Sequence, residues 1–183
     1  MINLVYWPKF ELSYFSEKKP GKYAIEKMTA YLEKNPTIQL VYCDYDEIDT
    51  KGVFKRHVSV KDPHYLIYRN IIGACFLYRK EVAENVGTYD AKRFLVEDYE
   101  YWLRISMFGE LAPLHENLYQ YRFHENSLTE TKKKEIARAL KKVRLDYLKQ
   151  YERFPYEAFD ITFSEIYQKE NLCDLLLSYV RLY

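Results

Sequence analysis

The sequence predicts an α/β protein, a mixed sheet flanked by helices, with a helical extension at its carboxyl end. Three observations lead to this class. Two apolar runs, IQLVYCDY at 38–45 and IIGACFLY at 71–78, are typical of strands buried on both faces. Segments with helical spacing alternate with these runs. From Thr131 onward the pattern becomes that of long helices, so we expect residues 1–129 to form the α/β domain and residues 130–183 the extension.

The first predicted helix covers residues 23–35, where apolar residues recur at helical spacing until an Asn-Pro pair ends it. The DTKG segment at 49–52 has the composition of a turn. Residues 53–58 are therefore expected to return as a second strand or extended segment. Residues 62–70 predict a short helix or turn.

Further along, residues 81–87 predict a helical piece closed by a glycine, and residues 94–108 an aromatic helix that also ends at a glycine. The segment ELAPLHENLYQYRFH, 110–124, suggests two short extended segments. In the extension we expect a second helix at 163–182, beside a long helix with one apolar stripe formed by Ile136, Leu140, Val143, Tyr147 and Tyr151.

Composition and charge exclude several classes of protein. The net charge of +1 gives no overall field to attract nucleic acid or an anionic membrane, and the apolar runs are too short for a membrane span. Membrane contact is expected to be peripheral at most. Three cysteines without metal-ligand spacing argue against a disulfide framework, and the first residues lack the features of a signal peptide, so we predict a cytoplasmic location.

The segment VEDYEYWLRI, 96–105, places Glu97 and Asp98 at the head of the aromatic helix. Asp98 falls in the first turn, where unpaired N–H groups and the helix dipole favour an ionised carboxylate. A fixed carboxylate beside a hydroxyl can act as a general base, but acidic residues in a first turn are also common caps. Helical spacing predicts one buried face on this helix, formed by Val96, Tyr99, Trp102, Leu103, Ser106 and Met107.

Between Asn70 and Thr129 five motifs follow one another: the strand IGACFLYR with its glycine, the GTYD turn, the acidic pair in VEDYEYWLR, the glycine after that helix and the ending YRFH…S. In this order they resemble the second half of family 2 glycosyltransferases, which have the nucleotide-sugar-binding GT-A fold. Upstream, the segment at 25–52 resembles the stretch that follows the metal-binding carboxylates of the family. The resemblance covers residues 24–129 and implies a partial GT-A-like domain.

By this resemblance, Asp98 corresponds to the catalytic base. It would accept a proton from an acceptor hydroxyl as that oxygen attacks the anomeric carbon of a nucleotide sugar, with inversion. Glu97 would help to shape the acceptor site. The implied function is hexosyl transfer from a nucleotide-sugar donor to a glycan or lipid-linked acceptor, as in polysaccharide biosynthesis.

The resemblance also implies a nucleotide-binding half and a divalent cation, Mg²⁺ or Mn²⁺, on the diphosphate. The metal motif would fall near SYFSEKK at 13–19, where Glu17 stands beside two lysines, so most of the ligands are missing here. DYDEID at 44–49 follows the helix and strand that should come after that motif. Asp44 or Asp46 is therefore expected either to line the substrate-binding cleft or to flank a turn.

Four other residues are candidates for substrate contact, and each has a structural alternative. His124 matches a family position near the diphosphate and would meet phosphate or metal, or serve as a hydrogen-bonded structural residue. Arg122 would meet phosphate or pair with a surface carboxylate. Gly73 would admit an acceptor or permit a kink. Trp102 would stack on a sugar or pack in the core.

Two functions follow as hypotheses. The first is a glycosyltransferase with Asp98 as its base, acting on a nucleotide sugar and a glycan acceptor. The second is a non-catalytic or split-enzyme module that binds a glycan or pairs with a separate nucleotide-binding chain. The missing half would leave the strand around Val41 near a sheet edge, which predicts a homodimer or another association. The nearly balanced charge argues against nucleic acid as a partner.

Overall fold

One long strand, β1 (Ile38–Ile48), organises the sheet. The computed structural model describes residues 21–125 and 127–148. β4 (Glu110–Arg122) runs parallel to β1 along one whole edge. On the other edge, β3 (Phe76–Tyr78) and β2 (Phe54–Val58) pair antiparallel with successive parts of β1. The sheet is therefore mixed, as predicted, and β1 lies at its centre.

Helices cover both faces of the sheet, which confirms the α/β class. Leu40 and Tyr42 point to one face and belong to the larger core, whereas Val41 and Cys43 point to the other. The helix α1 (Gly21–Lys34) packs on the second face. The first face is covered by three helices, α2 (Lys80–Val86), α3 (Glu97–Phe108) and α5 (Lys133–Leu148). This burial on both sides explains the continuous apolar run in β1.

Elements with strong local signals form where the sequence predicts them. The turn at 49–52 is held by Asp49, whose Oδ1 accepts the N–H groups of Lys51 and Val53, each at 2.9 Å. Gly52 has a φ of 84°, a left-handed conformation that favours glycine. Gly87 ends α2 with a φ of 82°. The 3₁₀ turn at Pro63–Tyr65 lies in the segment predicted as a short helix or turn.

Three predictions about the strands are wrong. The strand around Val41 is central and not near an edge, because β1 bonds to strands on both sides. Of the run at 71–78, only the last three residues form a strand. The two extended segments expected at 110–124 are one strand, in which the register shifts opposite Asp44. Such a bulge interrupts the alternation that sequence reading depends on.

The aromatic helix begins later than predicted and is buried more widely. Leu95 has a φ of 76°, so the helical conformation cannot extend back through it, and Val96 is the N-cap of α3. The predicted buried face is wrong at Met107, which is 47% exposed. Glu100, Tyr101 and Ile105 are buried instead. The helix is enclosed by the sheet and by other helices, so its burial exceeds one stripe.

The described part of the extension packs into the same core as the α/β part. α4 (Leu128–Thr131) precedes α5, and Val143 and Tyr147 of α5 are buried in the larger core. Ile136 and Leu140 pack against it, as the predicted stripe requires. Tyr151 and the helix predicted at 163–182 lie outside the described residues. Among the described helices, none is both long and apolar enough to cross a membrane.

Candidate active site

Asp98 lies in the first turn of α3, where two groups hold its carboxylate. The backbone N–H of Tyr99 donates to Oδ1 at 2.6 Å, and Asn70 Nδ2 donates to Oδ2 at 3.3 Å. Asn70 belongs to the loop before β3, and its own Oδ1 accepts the N–H of Ile72 at 3.2 Å. The bond from Ile72 thus orients the Asn70 amide toward Asp98. The Asp98 side chain is held in place by these groups and is still exposed to solvent.

The surroundings of Asp98 raise its pKa above the ordinary value of 3.8. The largest cause is desolvation, because protein atoms crowd the carboxyl group although its side chain is accessible. The negative charge of Glu97 raises the pKa further, whereas hydrogen bonds from backbone N–H groups and from Asn70 lower it. The N–H groups at the helix end do bind the carboxylate, but the expectation that its surroundings favour the ionised form is not met, because desolvation outweighs those groups. A raised pKa makes the ionised group a stronger base.

Two polar atoms near the head of α3 are buried and have no hydrogen-bond partner among the residues that the structure describes. They are Oε2 of Glu97 and Nε1 of Trp102. A buried polar atom without a partner costs free energy, and such atoms are uncommon in folded proteins. One is an acceptor and the other a donor. Trp102 follows Asp98 by one helical turn, so the two residues lie on the same side of α3.

The ring of Trp102 belongs to the core. Trp102 is 1% exposed and meets Phe76 edge to face, with ring centroids 4.4 Å apart. Tyr101 is stacked on Tyr89 at 4.5 Å, and Tyr89 lies 6.5 Å from Trp102. Both ring faces of Trp102 are therefore covered, which favours its structural alternative over sugar stacking. Burial and the charges of Asp98 and Glu97 contribute to the raised pKa of Tyr89, so that phenol is near the acidic pair.

The backbone just before the acidic pair is strained. Leu95 adopts the left-handed region, which is unfavourable for a residue with a Cβ atom. A residue in this region costs of the order of 1–3 kcal/mol and persists only where the surrounding structure imposes it. The sequence gives no signal for this conformation, because it contains no glycine or asparagine at that point.

Asp44 and Asp46 are engaged by other protein groups. Asp44 is 5% exposed, and its Oδ1 accepts the N–H of Val60 at 2.8 Å and lies 3.3 Å from His115 Nδ1. His57 faces both carboxylates, with Nδ1 2.9 Å from Asp46 Oδ1. Among residues 21–125 and 127–148, no group of three His, Cys, Asp or Glu side chains suits a metal ion. Sequence reading missed His57 and His115 as partners of Asp44.

The remaining candidates occupy separate places. Gly73 lies against the ring of Tyr45, and a Cβ atom there would come within 2.9 Å of Tyr45 Cε1. Arg122 Nη1 donates to the carbonyls of Asp49 and Thr50 at 2.8 and 2.9 Å, which is a structural role at the turn. His124 is exposed beyond the end of β4. Glu17 lies outside the described residues. The structure thus brings Glu97, Asp98 and Asn70 together at the head of α3, whereas Arg122 bonds to the turn at 49–50.

Comparison of the sequence with known proteins gives no further assignment. No protein-family model matches the chain, and no curated protein matches it significantly. The likeness to family 2 glycosyltransferases therefore rests on the motifs in the sequence itself.

Proposed function

We propose that the protein is an inverting glycosyltransferase in which Asp98 is the general base. The observation that carries this proposal is a fixed carboxylate with a raised pKa. The Tyr99 N–H and Asn70 hold the Asp98 side chain, solvent reaches it, and its pKa lies above the ordinary value. A base needs a fixed position, an available lone pair and affinity for a proton. A cap that served stability alone would not be expected to have a raised pKa.

In the proposed reaction, an acceptor hydroxyl lies within hydrogen-bond reach of Asp98. Its oxygen attacks the anomeric carbon of a nucleotide sugar while Asp98 takes the hydroxyl proton. The bond between the anomeric carbon and the diphosphate oxygen breaks on the opposite side, and the nucleoside diphosphate leaves with that electron pair. The configuration at the anomeric carbon is inverted because attack and departure occur on opposite faces.

Neighbouring groups would position the acceptor. Oε2 of Glu97 is a buried oxygen that can accept a hydrogen bond, and the hydrogen bond from Asn70 keeps the Asp98 side chain from rotating. The family resemblance also implies a divalent cation on the diphosphate, but no set of side chains among the described residues fits one. We therefore assign no step to a metal.

The test is a transfer assay with the purified chain, a panel of nucleotide sugars and Mg²⁺ or Mn²⁺. Release of nucleoside diphosphate and the mass of the product are measured. Asp98→Asn should reduce kcat by roughly 10²- to 10⁴-fold with little change in KM. Glu84→Gln, an exposed carboxylate on α2, is the matched control and should retain the wild-type rate. An Asp98→Asn variant with the wild-type rate would refute the assignment of the base.

A second candidate is a glycan-binding or split-enzyme module that works with a separate nucleotide-binding chain or as a homodimer. It is favoured by Asp44 and Asp46, which are engaged by histidines and a backbone N–H and are not free to hold a cation. Calorimetric titration distinguishes the two candidates. Glycan binding without UDP binding in the presence of Mn²⁺, and without diphosphate release from any donor, would support the module and contradict transfer by this chain alone. Sedimentation would detect the homodimer.

A further inference from the structure

Three exposed apolar residues lie at the same end of the sheet, and we call them the apolar tip. Val53 is 56% exposed, Phe54 57% and Phe123 40%. Phe54 pairs with Ile48 at the end of β1, and the N–H of Phe123 donates to the carbonyl of Ile48 at 2.8 Å. The two aromatic residues therefore lie on opposite sides of Ile48, beside the β1–β2 turn that presents Val53.

The apolar tip is held in place by the backbone that carries it. Arg122, which directly precedes Phe123, donates to two carbonyls of the turn, and Asp49 accepts the N–H of Val53. The end of β4 is thereby tied to the β1–β2 turn. Because these bonds fix the backbone, the tip is exposed as a defined surface, and burying it on a partner would need little ordering of the main chain.

Cationic side chains flank the tip. Between residues 47 and 56 the chain has three cations, Lys51, Lys55 and Arg56, and two carboxylates, Glu47 and Asp49, so a net positive charge of one remains beside the tip. Lys55 and Arg56 are 56% and 68% exposed, although Lys55 lies 3.5 Å from Asp49 and Arg56 pairs with Glu47 at 2.7 Å. Exposed aromatic and aliphatic residues with lysine and arginine beside them are the composition that suits the headgroup region of a bilayer.

The size of the tip favours a bilayer over a protein partner. Phenylalanine side chains bury of the order of 150–250 Å², so the three partly exposed residues offer roughly 300 Å². A stable protein interface needs about 800 Å² on each side. Insertion into the headgroup region has no such threshold, because a few protruding apolar groups and nearby cations act additively.

We propose that the apolar tip docks on an anionic lipid bilayer, with Val53, Phe54 and Phe123 inserted and Lys51, Lys55 and Arg56 facing lipid phosphates. This surface is formed by the β1–β2 turn and the end of β4, whereas Asp98 belongs to α3, and the proposal does not depend on the proposed transferase reaction. It would hold the protein at a membrane surface, where a lipid-linked molecule is presented.

The test is co-sedimentation of the full chain with vesicles of phosphatidylcholine and phosphatidylglycerol at a 3:1 ratio. The wild type should bind, and the Val53→Ser/Phe54→Ser variant should bind at least about tenfold more weakly. The control variant, Met107→Ser/Phe108→Ser, removes two side chains that are 47% and 45% exposed just before β4, at the opposite end of that strand. It should bind as the wild type does.

Phe123→Ser provides a second tip variant in case the double substitution disturbs the hairpin, and thermal unfolding checks that each variant is folded. The proposal is overturned if the wild type remains in the supernatant, if the tip variants sediment as the wild type does, or if tip and control variants lose binding equally. No transfer activity is measured, so this result is independent of the role of Asp98.

Discussion

Asn70 Nδ2 donates a hydrogen bond to Asp98 Oδ2 at 3.3 Å and thereby joins the loop before β3 to the first turn of α3. The bond crosses 28 positions in the chain. Desolvation is the largest cause of the raised pKa of Asp98, and the charge of Glu97 adds to it. The hydrogen bonds from the backbone and from Asn70 oppose this rise by stabilising the ionised carboxylate.

Replacing Asn70 should change the pH dependence of the reaction. Asn70→Ala removes a donor to the ionised carboxylate, so the pKa of Asp98 should rise. Because the base is active when it is deprotonated, the acid limb of the kcat/KM profile should move to higher pH. The same change should appear in a carboxyl ¹³C titration of Asp98 by NMR, which requires no substrate. An unchanged or lowered Asp98 pKa in this variant would contradict the role of Asn70.

Asp98→Asn should increase stability at neutral pH. The pKa of Asp98 in the folded protein lies above 3.8, so between 3.8 and that folded pKa the folded state binds more protons than the unfolded state. Stability contributed by Asp98 is present below this interval and is lost as the pH rises through it. Asparagine does not titrate, and its side-chain oxygen can still accept the N–H of Tyr99.

Urea unfolding of the wild type and of Asp98→Asn, from pH 3 to pH 7, tests this sign. The variant should gain stability relative to the wild type as the pH rises, and the gain should level off above the folded pKa. Glu84→Gln, at an exposed site, serves as the control and should show no such gain. A gain for the variant that falls with rising pH would show that the helix end stabilises the charge more than desolvation opposes it.

The buried carboxylate of Glu100 should anchor the extension to α3. Glu100 is 4% exposed, Tyr147 of α5 donates its hydroxyl to Oε1, and Arg104 donates to Oε2 at 2.9 Å. Tyr147→Phe leaves Oε1 without that donor, so we expect a loss of about 1.5–3 kcal/mol in the free energy of unfolding, measured in urea. Tyr23→Phe, at a residue 63% exposed, is the control. A loss below about 0.5 kcal/mol for Tyr147→Phe would mean that packing alone holds α5.

Gly73 should resist substitution because of the ring beside it. An added Cβ would lie 2.9 Å from Tyr45 Cε1 and 3.2 Å from Cδ1. Gly73→Ala should therefore cost about 1–3 kcal/mol, and the cost should shrink in a Tyr45→Leu background. Gly52→Ala is a contrasting variant, since open space surrounds Gly52 but its φ is 84°. Its cost should be unaffected by Tyr45, and equal coupling of both glycines to Tyr45 would exclude steric contact as the cause.

Elements defined by local chemistry were predictable from the sequence. The helix α1, the turn around Asp49 and the end of α2 at Gly87 depend on apolar spacing, on a side chain that bonds its own turn, and on glycine conformation. The turn also fixes the register of the hairpin, which sets Asp46 opposite His57. These features need few contacts from distant residues, so the pattern in the chain is sufficient.

Features that depend on pairing between distant segments were not predictable. The bulge in β4 opposite Asp44 and the approach of His115 to Asp44 result from the parallel pairing of β1 with β4. The late start of α3 follows from the left-handed conformation of Leu95. No periodicity signals these features, because the atoms responsible are far apart in the sequence or belong to a strained backbone.

The sequence by itself determined the α/β class, most element positions and the acidic pair at the head of a helix, because propensity and periodicity are local properties. Only the tertiary structure decided that β1 is central, that Glu100 faces Tyr147 and that Asp98 is crowded enough for its pKa to rise. Those outcomes depend on desolvation and on contacts across the fold, and both exist only when segments distant in the chain are packed together.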